Sequence, residues 1–172
     1  MHRLHLLRHA KSSRDGEADD RERRLSRRGR DDARTVARSL PAALGPLDLV
    51  LCSSAVRTRE TAELVLAGYE PRPQIRLEET LYLASPAALL KRLIELDESA
   101  GTVLVIGHNP GLHELALALA LPEGPACRAL SQGKFPTTAR ASFAVETAWS
   151  ALGKQRHRLI DYVTVKSLDD KD

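Results

Sequence analysis

Residues 2–7, 48–52 and 102–107 form three short segments rich in β-formers, each close to unbroken in apolar residues. A strand with one face in water alternates apolar and polar side chains. A strand that is apolar throughout needs cover on both faces, as at the centre of a parallel sheet. Helical patterns lie between the three. Ser26 can cap a helix to about Leu40, with Leu25 before it as a staple and Pro41 after it. Ser54 precedes a helix over 55–67 that stops at Gly68, Ser85-Pro86 opens another to about Asp97, and 110–121 is strongly apolar up to Pro122. Strand and helix alternate, which predicts a three-layer α/β/α sandwich around a mostly parallel central sheet. After Pro122 the pattern predicts an irregular loop, a strand near 139–145, another near 158–165, and a polar, frayed tail over 167–172. Residues 1–166 are expected to form one domain, since no repeat or low-complexity linker divides them.

The bulk properties exclude several classes. A chain of 172 residues with 42% hydrophobic and 28% charged residues is an ordinary globular composition, but aromatics are only 3%, so the core rests on Leu, Val, Ile and Ala. The net charge of +3 is concentrated over residues 21–38 and favours an anionic partner. Scarce aromatics and the lack of a nucleic-acid-binding motif argue against nucleic acid. No apolar run is long enough to span a bilayer and the N-terminus lacks a signal-peptide pattern, so the expected location is cytoplasmic, with no membrane partner. Cys52 and Cys127 make no metal-finger pattern and are expected to be reduced, buried thiols.

The chemistry stands at the ends of the strands. In open α/β sheets, ligands bind beyond the carboxyl ends of the strands. The first segment delivers Arg8 and His9; the second runs into "CSSAVRTRETA" and places Arg57 in the first turn of a helix; the third runs into "VIGHNPG" and delivers His108. Any one cation at a strand end is unremarkable. Two guanidiniums and two imidazoles on one sheet edge would repel one another without a multiply charged anion, and helix N-termini there add N–H donors for it. The edge reads as a phosphate pocket. There is no P-loop, no acidic cluster for a divalent metal and no CxxxxxR loop, so no cofactor is implied. What remains is an imidazole nucleophile, His9, kept neutral by neighbouring positive charge, with arginines to hold the transferring phosphoryl group and His108 to donate to it.

The blocks "LLRHA", "SSAVRTRETA" and "IGHNPG" resemble those of the histidine phosphatase superfamily. More narrowly, "RHAKSS", "RRLSRRG", "LYLAS", "GHNPGL" and "FPTTA" look like its small SixA-type phosphohistidine phosphatase branch, in the right order over nearly the whole chain. The resemblance implies a phosphoglycerate mutase-like fold and a phosphoenzyme formed on His9, with Arg8, Arg57 and His108 completing the pocket. It implies a phosphorylated substrate, above all a phosphohistidine-carrying protein. Larger members of the superfamily use a carboxylic acid to protonate the leaving oxygen. Here only Glu78 and Glu79 precede "TLYLAS", without the surrounding glutamate pattern, and Glu79 is a weak candidate for that role. SixA-type members lack the acid, and an imidazole leaves phosphorus more readily than an alkoxide. A small-molecule phosphomonoesterase and an inactive phosphate-binding module stay open as alternatives.

Other residues carry two readings each. Arg23 matches the basic residue of an "R-x-L-x-x-x-G" element and either contacts substrate or pins its loop. Lys11 and Ser12 follow the nucleophile and line the pocket mouth, Asn109 supports the turn that orients His108, and Thr137 resembles a family threonine facing the pocket. His2 and His5 are expected to be surface or satisfied core histidines, and His157, in "KQRHR", a solvated edge. His113 and Glu114 with His108 invite a metal, but their spacing faces poorly and no further ligand cluster joins them. Trp149 is expected to anchor the C-terminal segment in the core.

Overall fold

The computed structural model of the protein describes residues 1–14, 16 and 19–170. Its centre is a six-stranded sheet of β1 (His2–Arg8), β2 (Leu49–Ser53), β3 (Ile75–Glu78), β4 (Thr102–Gly107), β5 (Arg140–Val145) and β6 (Arg158–Val163), in the order β3-β2-β4-β1-β5-β6. β3, β2, β4 and β1 run parallel, while β5 is antiparallel to β1 and β6 to β5. The helices are α1 (Arg27–Leu44), α2 (Val56–Val65), α3 (Pro86–Ile94), α4 (Gly111–Leu119), α5 (Gly124–Gln132) and α6 (Val165–Asp169).

The two faces of the sheet explain the unbroken apolar strands. Leu4, Leu6, Leu51, Val103 and Val105 point into one core with side chains of α3, α4 and α5 and with the fully buried Trp149. Leu7, Val50, Cys52, Leu104 and Ile106 point into the other, against Ala33, Val36 and Leu40 of α1 and Val65 of α2. Successive residues of β1, β2 and β4 thus serve opposite cores, and none of these apolar positions is free to be polar. This is the expected three-layer arrangement. Cys52 and Cys127 are free thiols and buried.

Several boundaries differ from the sequence reading, each for a physical reason. α1 does not stop at Leu40: it carries Pro41 inside its last turns because Leu44 still reaches the core, and the N–H of Gly45, at φ 67°, closes on the Pro41 carbonyl at 2.9 Å. α2 starts one residue late, capped by Ala55 without a side-chain bond, and ends at Val65. The expected loop after Pro122 contains α5; Gly124 and Pro125 disguise its start, and only Cys127 and Leu130 are buried along it. β3 was not expected, since four residues with Leu77 53% exposed carry too little pattern. The tail does not fray from Ser167. Thr164 and Ser167 cap α6 reciprocally and Leu168 packs on the second core, although residues 171 and 172 lie outside the described residues. His157 is not a solvated edge either. It is buried, its backbone pairs with the end of α4, and its Nε2 bonds the Leu152 carbonyl at 2.8 Å. His5 is buried with Nδ1 on Ser142 Oγ at 2.7 Å, and His2 stacks on Trp149.

One close approach positions the site. The backbone N–H of Ser26, the N-cap of α1, bonds the carbonyl of Lys11 at 2.9 Å, so the first turn of α1 lies directly against the loop that leaves β1. A Cβ on Gly29 would collide with that same carbonyl. Gly29→Ala is therefore expected to destabilise the protein by about 1–3 kcal/mol, read as a lowered thermal midpoint, whereas Ala substitution of the exposed Arg34 on the same helix should leave it nearly unchanged.

Candidate active site

Strand register brings the chemistry together. Arg8 pairs with Gly107 across β1 and β4, and Ile106 with Cys52 across β4 and β2, so the three strands end level with one another. His9 and His108 directly follow β1 and β4, Ser53 is the last residue of β2, and Arg57 comes in the first turn of α2. Arg8, His9, Arg57 and His108 line one cavity, with the two imidazole centroids 5.4 Å apart.

His9 is held by its neighbours. Its N–H bonds the Gly107 carbonyl at 3.1 Å, and the Ala10 N–H donates to Thr61 Oγ1 at 2.9 Å. His9 Nδ1 lies 2.7 Å from the Ala10 carbonyl. A carbonyl only accepts, so Nδ1 carries the hydrogen and Nε2 of the neutral ring carries a lone pair. Burial pushes the imidazole pKa down to about 3, and His108, Arg57 and Arg8 add to this while the Ala10 bond opposes it. Burial, more than the neighbouring charge that the sequence suggested, keeps His9 neutral.

His108 is oriented from below. Its Nε2 is 2.7 Å from the hydroxyl of fully buried Ser53. That hydroxyl also receives the Ala55 N–H at 3.4 Å, and Nε2 is the acceptor available for its own hydrogen. The arrangement leaves the hydrogen of His108 on Nδ1, which is buried without a partner. Its pKa is pushed down to about 4, first by burial and then by Arg57 and Arg8, with Asp20 opposing.

Each guanidinium is anchored at one end and keeps an unpartnered Nε. Arg8 Nη1 donates to the Phe135 carbonyl at 3.1 Å, and Asn109 Nδ2 donates to the same carbonyl at 2.7 Å. Arg57, 3% exposed, donates to the Asp20 backbone carbonyl at 2.6 Å and its carboxylate at 3.0 Å. The Nε atoms of both arginines are buried and unpartnered. Burying such donors unmatched costs about 1–3 kcal/mol each. Three buried donors on residues of a single cavity are a set that a tetrahedral oxyanion can match, and the His9 lone pair beside them is a nucleophile.

Asp20 and Tyr82 were missed from the sequence. Asp20 sits in a short 3-10 turn, Asp20–Glu22, and its carboxylate also takes Arg23 at 3.0 Å and the Tyr82 hydroxyl. Those bonds hold its pKa below the ordinary carboxylate value, the Tyr82 bond most of all, against the opposing effect of burial. The Tyr82 ring stands edge-on to His108 at 5.4 Å, with the Arg57 guanidinium 5.9 Å from its centroid. Asp20 stands in a stretch crowded with acids and arginines, "DDRERR", where its i,i+3 spacing to Arg23 is the one local signal.

Of the remaining expected residues, Lys11, Ser12, Arg23, Asn109 and Thr137 all line the cavity. Arg23 also pins its loop, through the Ser12 hydroxyl and the Ser13 carbonyl at 3.3 Å. Glu79 does not line the cavity: it is exposed and paired with Arg21 at 2.5 Å, while Glu78 grips Arg92. His113 bonds the Leu130 carbonyl at 3.0 Å and stacks on Phe135. Among the described residues, no group of three or more His, Cys, Asp or Glu is placed to hold a metal ion.

Fold and site together define an α/β protein that presents a neutral imidazole beside guanidinium donors at the carboxyl edge of a parallel sheet. Residues 4–83 match the model of the histidine phosphatase superfamily (branch 1). The uncharacterized protein Rv1276c of Mycobacterium tuberculosis is 34% identical over 146 residues, covering 84% of this chain and 90% of that one. A structure from Nakamurella multipartitia, provisionally assigned as the phosphohistidine phosphatase SixA, superposes with a TM-score of 0.82 at 26% identity, covering 95% of each chain. A second of the same provisional assignment, from Agrobacterium tumefaciens, gives 0.79 at 26% identity, covering 95% of this chain and 97% of that one. The chain belongs to the histidine phosphatase superfamily, in its SixA-type branch, and is a phosphatase.

Two measurements follow from the geometry. In an NMR titration, His9 and His108 should keep neutral-ring shifts from pH 8 to about 5, because both folded pKa values lie well below the ordinary 6.5. Below about 6.5 the unfolded chain then binds more protons than the folded one, so the thermal midpoint should fall as pH drops from 6.5 toward 4. Ser53→Ala should lower kcat on an aryl phosphate by about tenfold with the fold retained, because the donor that fixes the His108 tautomer is gone; Ser53→Thr should recover part of it.

Proposed function

We propose that the protein removes phosphate from phosphohistidine in a protein, through a phosphoryl group carried transiently on His9. Nε2 of His9 attacks phosphorus with its lone pair while the P–N bond to the substrate imidazole breaks. That imidazole, protonated on its other nitrogen, departs as a neutral ring and needs no proton from the enzyme. Water then attacks phosphorus, the P–Nε2 bond breaks, and orthophosphate leaves with its proton shed to solvent. Arg8, Arg57 and His108 Nδ1 hold the equatorial oxygens through both steps.

The observation that carries this reading is the commitment of His9 Nδ1 to the Ala10 carbonyl, which leaves Nε2 as a fixed, unprotonated nucleophile in a cavity whose Arg8, Arg57 and His108 each keep a buried, unpartnered donor. The choice of a P–N substrate rests on the acids. Asp20, at the cavity, is held ionised by Tyr82, Arg57 and Arg23, and Glu79 lies outside it. Neither is placed to protonate an alkoxide. Asn109 steadies the Phe135 carbonyl that anchors Arg8, and Lys11, Ser12, Arg23 and Thr137 border the substrate entry. The reaction uses no cofactor and its setting is the cytoplasm.

A panel of phosphohistidine peptides, aryl phosphates and sugar phosphates tests the reading, with base-quenched mass analysis for phosphate on His9. Phosphohistidine peptides should exceed sugar phosphates in kcat/KM by at least about a hundredfold, given the poor alkoxide leaving group, and His9→Ala should abolish turnover. Efficient sugar phosphate turnover, or a His9→Ala variant that still turns over, would overturn it.

A further inference from the structure

The cavity is far larger than one phosphoryl group requires. It encloses about 1220 Å³, above the range of roughly 300–1,000 Å³ in which small ligands are commonly buried. The reacting end accounts for only one part of its lining. The rest is a trough between two walls. One wall comes from the loop after β1 and the start of α1, with Lys11 and Arg28; the other comes from the segment before β5 and from α6, with Lys134 and Lys166. The second wall exists because α6 is capped and docked by Leu168.

Charge in this trough is not balanced. The two acids in its lining are already engaged: Asp20 with Arg57, and Asp32 with Arg28 at 3.9 Å. Lys134 and Lys166 are exposed and, among the described residues, make no ion pair. The phosphoryl site itself holds Arg8 and Arg57, so cations continue from the reacting end out along both sides. Ser12, Thr137 and Thr164 belong to the same lining.

We propose that this trough receives an acidic stretch of the substrate protein, with carboxylates on both sides of the phosphorylated residue. The inference rests on the phosphohistidine reading above and adds a sequence preference to it. A chain segment laid through an open trough can meet both walls at once, whereas a small phosphate ester held at the reacting end cannot. The lysines are exposed, so their attraction acts through solvent. It raises capture of the substrate and is screened by salt, and it belongs in KM more than in kcat.

Three phosphohistidine peptides of equal length test this, with flanking Asp/Glu, Ser/Gly or Lys residues. At low ionic strength the acidic peptide should exceed the neutral one in kcat/KM by about tenfold, mostly through KM, and the ratio should shrink toward one at 0.5 M salt, roughly the regime where screening reaches only a few ångströms. In the double variant Lys134→Glu/Lys166→Glu the ratio of acidic to basic peptide should invert; because it is a ratio within one protein, partial loss of folding does not change its sign. Equal turnover of all three peptides, or a charge-reversed variant that keeps the acidic preference, would sink this inference while leaving the phosphohistidine reading intact. Failure to hydrolyse any of the peptides would instead defeat the underlying reading of function.

Discussion

The parallel pairing of β1, β4 and β2 is the constraint on which everything else in this molecule rests. Each strand is buried on both faces, so a slip of one residue would exchange side chains shaped for two different cores. Register is thereby held without any polar contribution from the site. The same register sets Leu7, Ile106 and Cys52 at one level, and Arg8, His9, His108 and Arg57, which follow within a few residues, line one cavity. Apolar packing in the middle of the sheet thus decides geometry at its edge.

That geometry concentrates positive charge and buried donors, and the surrounding chain manages the cost. Asp20 takes one end of Arg57, the Phe135 carbonyl takes one end of Arg8, and the two imidazoles stay neutral because burial outweighs every other influence on them. Arg8, Arg57 and His108, whose remaining donors are unmatched, all line the cavity. Donors buried without partners cost some stability, and they are already oriented before an anion arrives. Tyr82 couples the parts: it bonds the carboxylate that holds Arg57 while its ring edge meets His108.

Legibility followed local pattern. β1, β2 and β4 were readable because continuous apolar runs admit few alternatives, and the meeting of Arg8, His9, Arg57 and His108 at one cavity was readable because they stand at the ends of those runs or in the helix turn that follows. β3 and α5 were not, since a half-exposed edge strand and a Gly-Pro helix start resemble loops. Pro41 misled in the opposite direction: a proline ends a helix in isolation, but burial of Leu44 carried α1 past it. His157 shows the same override, a histidine in a basic run that tertiary packing enclosed.

By itself the amino-acid order determined which strands must be central and which side chains must emerge at their carboxyl ends, because burial on two faces is written into consecutive residues. Only the tertiary structure decided who would hold those side chains. Asp20 lies 37 residues from Arg57, Ser53 lies 55 from His108 and Tyr82 lies 62 from Asp20. No local periodicity connects positions so far apart; their hydrogen bonds exist because the sheet crossovers and the loop after β1 fold onto the same edge.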